Sequence, residues 1–125
     1  MNIVVLQGKL SRAPEERQLR EHVLARYEVT TRNDEGPAVT APVVWFDPPD
    51  TAWKLDAGDD VTVVGEVRRR FFRSNGRTES RTEIVANTVL PTRRKAQVAR
   101  ALERAIAALE GQEGLTRSAT PRRCS

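Results

Sequence analysis

The chain has 125 residues, with 21 Lys or Arg against 17 Asp or Glu, a formal net charge of +4 and a sequence pI of about 10.0; this is room for one domain and a tail, and the basic balance points to a polyanionic partner. The single cysteine, Cys124, rules out a disulfide framework or a cysteine-based metal site within the chain. No apolar stretch is long enough to span a membrane, and residues 1–6 lack the basic region and cleavage site of a signal peptide, so a cytoplasmic location without membrane association is expected.

Residues 2–10 are rich in β-branched and aliphatic side chains and read as a largely buried first strand, with Gly8 marking a bulge or sharp bend. Ser11, Arg12, Ala13 and Pro14 break it, and the short polar piece 15–19 reads as its continuation around the bend. Residues 24–32 alternate, with Leu24, Arg26, Glu28 and Thr30 on one side and Ala25, Tyr27, Val29 and Thr31 on the other. The second strand should therefore turn Tyr27 and Val29 to the core. A turn cluster at 33–37 leads to a third strand, 38–46, which ends in Val43, Val44, Trp45 and Phe46. The loop 47–50 is placed to cap a short helix at 51–55, and 57–60 forms a tight turn. Residues 61–72 give the longest strand signal, with Val61, Val63, Gly65 and Val67 on one face and Thr62, Val64, Glu66, Arg68, Arg70 and Phe72 on the other. Asn75-Gly76 predicts a tight hairpin, 77–90 is the returning strand, and Pro91 ends it. Five strands with a helix between the third and fourth is the order of an OB-fold, an all-β barrel.

Residues 92–111 read as a C-terminal amphipathic helix, because Val98, Leu102, Ile106 and Leu109 recur at helical spacing. Gly111 and Gly114 close it. The expected organisation is thus a domain over 1–91, a helix over 92–111 and a basic, disordered tail over 112–125.

The chemistry concentrates between residues 65 and 82. Arg68, Arg69, Arg70, Arg73, Arg77 and Arg81 face only Glu66 and Glu79 there, and Phe71 and Phe72 sit among them. Binding a single strand requires cations along its backbone and flat faces for its bases, and this segment offers both. The competing reading of Arg68 to Arg70 is a solvated strand face, and that of Phe46 and Phe71 is ordinary core. Asp47, Asp50, Asp56, Asp59 and Asp60, with Lys54 alone against them, form an acidic pole that a phosphate backbone should avoid. His22 has no second histidine or cysteine near it, Asp59-Asp60 is a turn pair, and no glycine-rich phosphate loop occurs. The expectation is a protein that is not an enzyme and that needs no metal or other cofactor.

Residues 2–10 with Pro14-Glu15, the aromatic end of the third strand, the stretch from Leu55 through Gly58, Gly65 and Arg68-Arg69-Arg70, and the segment 81–86 occur in an order that resembles the bacterial single-stranded DNA-binding protein family. The resemblance covers roughly three quarters of the chain. It implies an OB-fold that binds single-stranded DNA, with RNA left open, during replication, recombination or repair, at the nucleoid. It implies stacking aromatics at Phe46 and Phe72, with Trp45 buried, and assembly into a homo-oligomer, dimer or tetramer. Phe46, Arg68, Arg70, Phe71, Phe72, Arg73, Arg77 and Arg81 are the expected DNA-binding residues. The chain departs from the family in its shorter loops, its few aromatics and its basic end, Pro121 to Ser125, where the family has an acidic tip. Recruitment of partner enzymes through such a tip is not expected, and a short paralogue fits best. A second reading is an interaction module resembling primosomal replication protein N, with weak nucleic-acid binding.

Overall fold

The computed structural model describes residues 1–32 and 34–118, with side chains from 112 onward left aside. Aliphatic alternation sets the strands β1 (Val4–Leu10), β3 (His22–Thr31) and β4 (Val39–Phe46), and long arginine-tipped strands form β5 (Asp60–Ser74) and β6 (Arg77–Pro91). The polar piece Glu15–Leu19 does not continue β1. It is a separate strand, β2, paired antiparallel with β3, so the sheet has six strands rather than five. The reason is local: the chain bends away after Leu10 through Ser11 to Pro14, and it reverses again at Arg20, whose φ is 52°. Among the described residues the protein is all-β apart from a short 3-10 helix at Asp50–Lys54 and the C-terminal helix α1 (Lys95–Ser118).

Strand order is β1-β5-β6-β4-β3-β2, and β1 also pairs with β3 through Lys9–Thr30 and Leu10–Val29. All pairings are antiparallel except β4–β6, which is parallel at Val43–Ile84 and Val44–Val85. The contact of β1 with β3 is close. A Cβ on Gly8 would lie 2.4 Å from the Thr30 carbonyl oxygen, while the β1–β5 register runs through Gly8 without the expected bulge. The irregularity lies instead at Val64/Gly65, opposite Asn87 of β6.

The core is built from Leu10, Ala25, Tyr27, Val29, Val43, Trp45, Ala52, Leu55, Val61, Val63, Ala86 and Val89. Tyr27 and Val29 face it as the alternation predicts, and the buried Tyr27 hydroxyl donates to the Ala52 carbonyl at 3.1 Å. Thr62 and Val64, on the opposite side of β5, are buried too. Thr62 Oγ1 accepts from Gln7 Nε2 and meets Thr92 Oγ1, each at 2.9 Å, so the buried hydroxyl is satisfied.

Helix α1 starts at Lys95 rather than Thr92 and runs through Gly111 and Gly114 to Ser118, so neither glycine closes it. Of the predicted stripe, Val98 is buried and Leu102 half-buried, but Ile106 and Leu109 are exposed. Residues 119–125 of the predicted tail lie outside the described residues. No described helix is long and apolar enough to cross a membrane.

Candidate functional site

The distal part of β5 and β6 leaves the sheet. β1 covers β5 only as far as Gly65, with the Asn2 side-chain carbonyl accepting from the Val67 N–H at 2.6 Å. β4 pairs with β6 only at Ile84 and Val85. From Arg68 to Glu83 the two strands therefore pair only with each other, as a ribbon closed by a hairpin in which Asn75 and Gly76 take the positive φ values, 53° and 75°, that the turn demands.

Residues paired across an antiparallel ribbon share a face, so the register sorts the site residues. One face carries Arg68, Arg70 and Phe72 of β5 opposite Glu83, Arg81 and Glu79 of β6, with Arg77 opposite Ser74 at the tip. This front face is heavily compensated. Arg68 pairs with Glu66. Arg70 Nε lies 3.0 Å from Oε1 of Glu83, whose carboxylate is almost wholly buried. That Nε is itself buried and makes no well-angled hydrogen bond, so the contact with Glu83 is an ion pair by distance alone. Arg81 has no acidic partner among the described residues. Its guanidinium sits 5.9 Å from the centroid of Phe72, a cation–π arrangement, and Phe72 is half-buried rather than free.

The front face continues inward over Val85 of β6, Val44 of β4 and Arg26 of β3. An open depression lined by Arg26, Glu28, Thr40, Pro42 and Arg81 lies on it. Sequence reasoning passed over Arg26, although the alternation had already set it opposite Tyr27 and hence outside the core. Phe46, 38% exposed, pairs with Leu24 on this same face at its far end, while Trp45 beside it is buried.

Phe71 and Arg73 are not with the others. They project from the opposite face of the ribbon together with Arg69, and Phe71 is 65% exposed, so it is not core. The expected set of arginines and aromatics is thus divided between two faces. Val67, expected on an apolar face, is exposed as well, because the core ends where the ribbon begins.

At the remaining pole, Asp60 is not left to Lys54: Lys9 Nζ contacts its Oδ1 at 3.0 Å. Asp47 does not cap the short helix, which has no side-chain cap. Its carboxylate instead joins the start of β3 to the end of β4, taking the His22 ring at 2.7 Å and the Val23 N–H at 3.1 Å. These two contacts, the imidazole first, hold the Asp47 carboxyl below the usual carboxylate range. Trp53 lies on the 3-10 helix, 37% exposed and away from the ribbon. No cluster of three or more metal-ligating side chains is found among the described residues.

No protein-family model matches this chain, and no curated protein matches it significantly in sequence.

Proposed function

We propose that this chain is an OB-fold domain that binds single-stranded DNA without reading its sequence, serves replication, recombination or repair, and is not an enzyme. The fold reading is supported by the pairing cycle: β1 bonds to β5, β5 to β6, β6 to β4, β4 to β3, and β3 back to β1. Pairings that return to their start support a barrel, with β2 an added edge strand on β3. The parallel β4–β6 pair and the short helix between β4 and β5 accord with the OB-fold order, and so does the resemblance in sequence.

One observation carries the binding reading: an outer face that runs from Phe72 at the ribbon to Phe46 at the far end of β4, with Arg81, Arg70, Arg68 and Arg26 between these two partly exposed aromatics. Stacking on such rings is worth about 1–3 kcal/mol per base and tolerates any base, while arginine forks hold phosphates. The face carries no array of Asn or Gln to read base edges. Titration of a fluorescent oligo-dT against a duplex of equal length tests this. Preference for the single strand is expected, and equal affinity for the duplex would overturn it.

A specific observation favours a second reading. Ile106 and Leu109 stand exposed on α1, as a helix built to meet another protein would present them. That fits either a homo-oligomer or docking in a replication complex with weak nucleic-acid binding. Weak, salt-insensitive binding of oligo-dT together with capture of a replication protein would favour the docking module.

A further inference from the structure

The two faces of the β5–β6 ribbon differ in charge balance in a way that only the register reveals. All the glutamates of this region fall on the front: Glu66, Glu79 and Glu83 share it with Arg68, Arg70, Arg77 and Arg81. The back face has Arg69 opposite Thr82, Phe71 opposite Ser80 and Arg73 opposite Thr78, with no acid at all. Its six side chains belong to exposed residues. Arg73 Nη1 reaches the Thr78 hydroxyl at 3.5 Å, a long contact that leaves the guanidinium free for an incoming acceptor.

The spacing is chemically specific. Arg69 and Arg73 stand about 13 Å apart along the strand, with the open ring of Phe71 midway between them. Two cations flanking a flat apolar face leave room for one stacked base with a phosphate on either side. The facing row of hydroxyls supplies donors for phosphate oxygens or sugars. An apolar protein partner would be served poorly by two uncompensated arginines, whose desolvation it would have to offset. A duplex would touch the cations but could not reach the ring, because its bases are stacked inside.

The geometry points to a second binding track for a single-stranded polynucleotide on the back of the ribbon, formed by Arg69, Phe71 and Arg73 with Thr78, Ser80 and Thr82. The ribbon is gripped from both sides: a long strand that occupies the front face turns around the hairpin and continues along the back. The inference rests on the single-strand reading of the front face for the nature of the ligand, but its residues are different. The front face serves short strands; the back engages only when the strand is long enough to pass the tip.

The test uses the full chain and two oligo-dT probes, one of about 8 nucleotides, within the range that one OB-fold occupies, and one of about 30, well beyond it. Anisotropy is measured at several salt concentrations. Phe71→Ala should weaken the long probe by about five- to 150-fold and leave the short one unchanged. Arg69→Ser with Arg73→Ser should lower the long probe's slope of log K against log salt by roughly 1.4, at about 0.7 per phosphate on a single strand. All three side chains are exposed, and an unchanged thermal midpoint verifies that the variants fold. Phe72→Ala, on the front, should weaken both probes. Wild-type affinity and slope for the long probe in both back-face variants would overturn the second track and leave the front-face reading intact. An altered sedimentation coefficient without a change in DNA binding would overturn it too, making this face a subunit contact. Loss with Phe71→Ala but none with Phe72→Ala would instead overturn the front-face reading and uphold the back one. A wild-type protein that binds neither probe would overturn both.

Discussion

Arg70 owes its place to Glu83. A carboxylate this deeply buried needs a counter-charge, and Arg70 Nε at 3.0 Å is the cation beside it. Arg70→Ala is therefore expected to cost about 1–3 kcal/mol of stability, because Glu83 is left buried and uncompensated. Urea denaturation checks this, and an unchanged midpoint would mean that Glu83 finds water instead. Replacing Arg68 and Arg70 together should shift the salt slope by less than the roughly 1.4 that two free phosphate contacts would give, since both already have glutamate partners. Phe72→Ala should weaken single-strand binding by about 1–3 kcal/mol. Sequence could place Phe71 and Phe72 on opposite faces of one strand. It could not say which face was the more open, because that depends on where β1 and β4 stop covering β5 and β6. For the same reason the partnership of Arg70 with Glu83, thirteen positions along the chain and across a hairpin, was not legible. Trp45 in the core and Phe46 outside it were legible from the resemblance.

Among the elements, the ribbon carries most of the proposed site, and its geometry depends on two backbone facts. Asn75-Gly76 closes it, and this turn was readable from two letters of sequence. Gly65 lets it leave the sheet: a Cβ there would sit 2.2 Å from the Val85 carbonyl oxygen and 2.8 Å from Ala86 Cα, both backbone atoms that cannot yield cheaply. Gly65→Ala is expected to destabilise by about 3 kcal/mol or more, since the strands must part to admit it. Thermal denaturation of the variant decides; a midpoint within a degree or two of wild type would show that the bulge absorbs the methyl. The join of β3 to β4 through Asp47 predicts a pH effect. A carboxyl whose folded pKa is depressed contributes fully above its unfolded value, about 4, and loses that contribution as pH falls through the folded value. Asp47→Asn keeps an acceptor for the Val23 N–H and tolerates the φ of 46° at this position, so it should flatten only the acid limb of the stability profile. A midpoint against pH curve that matches wild type in acid would contradict it. Strand β2 was seen in sequence as a segment but not as a separate strand, because its five exposed residues carry no burial pattern. The helix was recognised from its stripe, but its end was not, since glycine closes a helix only where the chain is free to turn away.

At the scale of the molecule, charge and apolar surface are segregated. The arginine ribbon, the acidic turn around Asp56 and Asp59, and the exposed Ile106 and Leu109 of α1 lie on different elements. Under the proposed function the first would meet a polyanion, the second would repel it, and the third would meet another subunit. We expect sedimentation of the full chain at micromolar concentration to give a homo-oligomer, in which linked binding faces gain avidity that one small domain lacks. Ile106→Glu with Leu109→Glu should shift that mass toward the monomer if α1 makes the contact. A monomer mass for the wild-type chain would remove the oligomer altogether. All of this turns on the proposed binding of single-stranded DNA by the arginine–aromatic face. The most direct measurement is a titration of the intact protein with labelled oligo-dT and with a duplex of the same length, each at low and at physiological salt. Tight binding of the single strand that weakens steeply with salt is expected, with a clearly weaker duplex. Equal affinity for both, or no salt-sensitive binding of either, would contradict it.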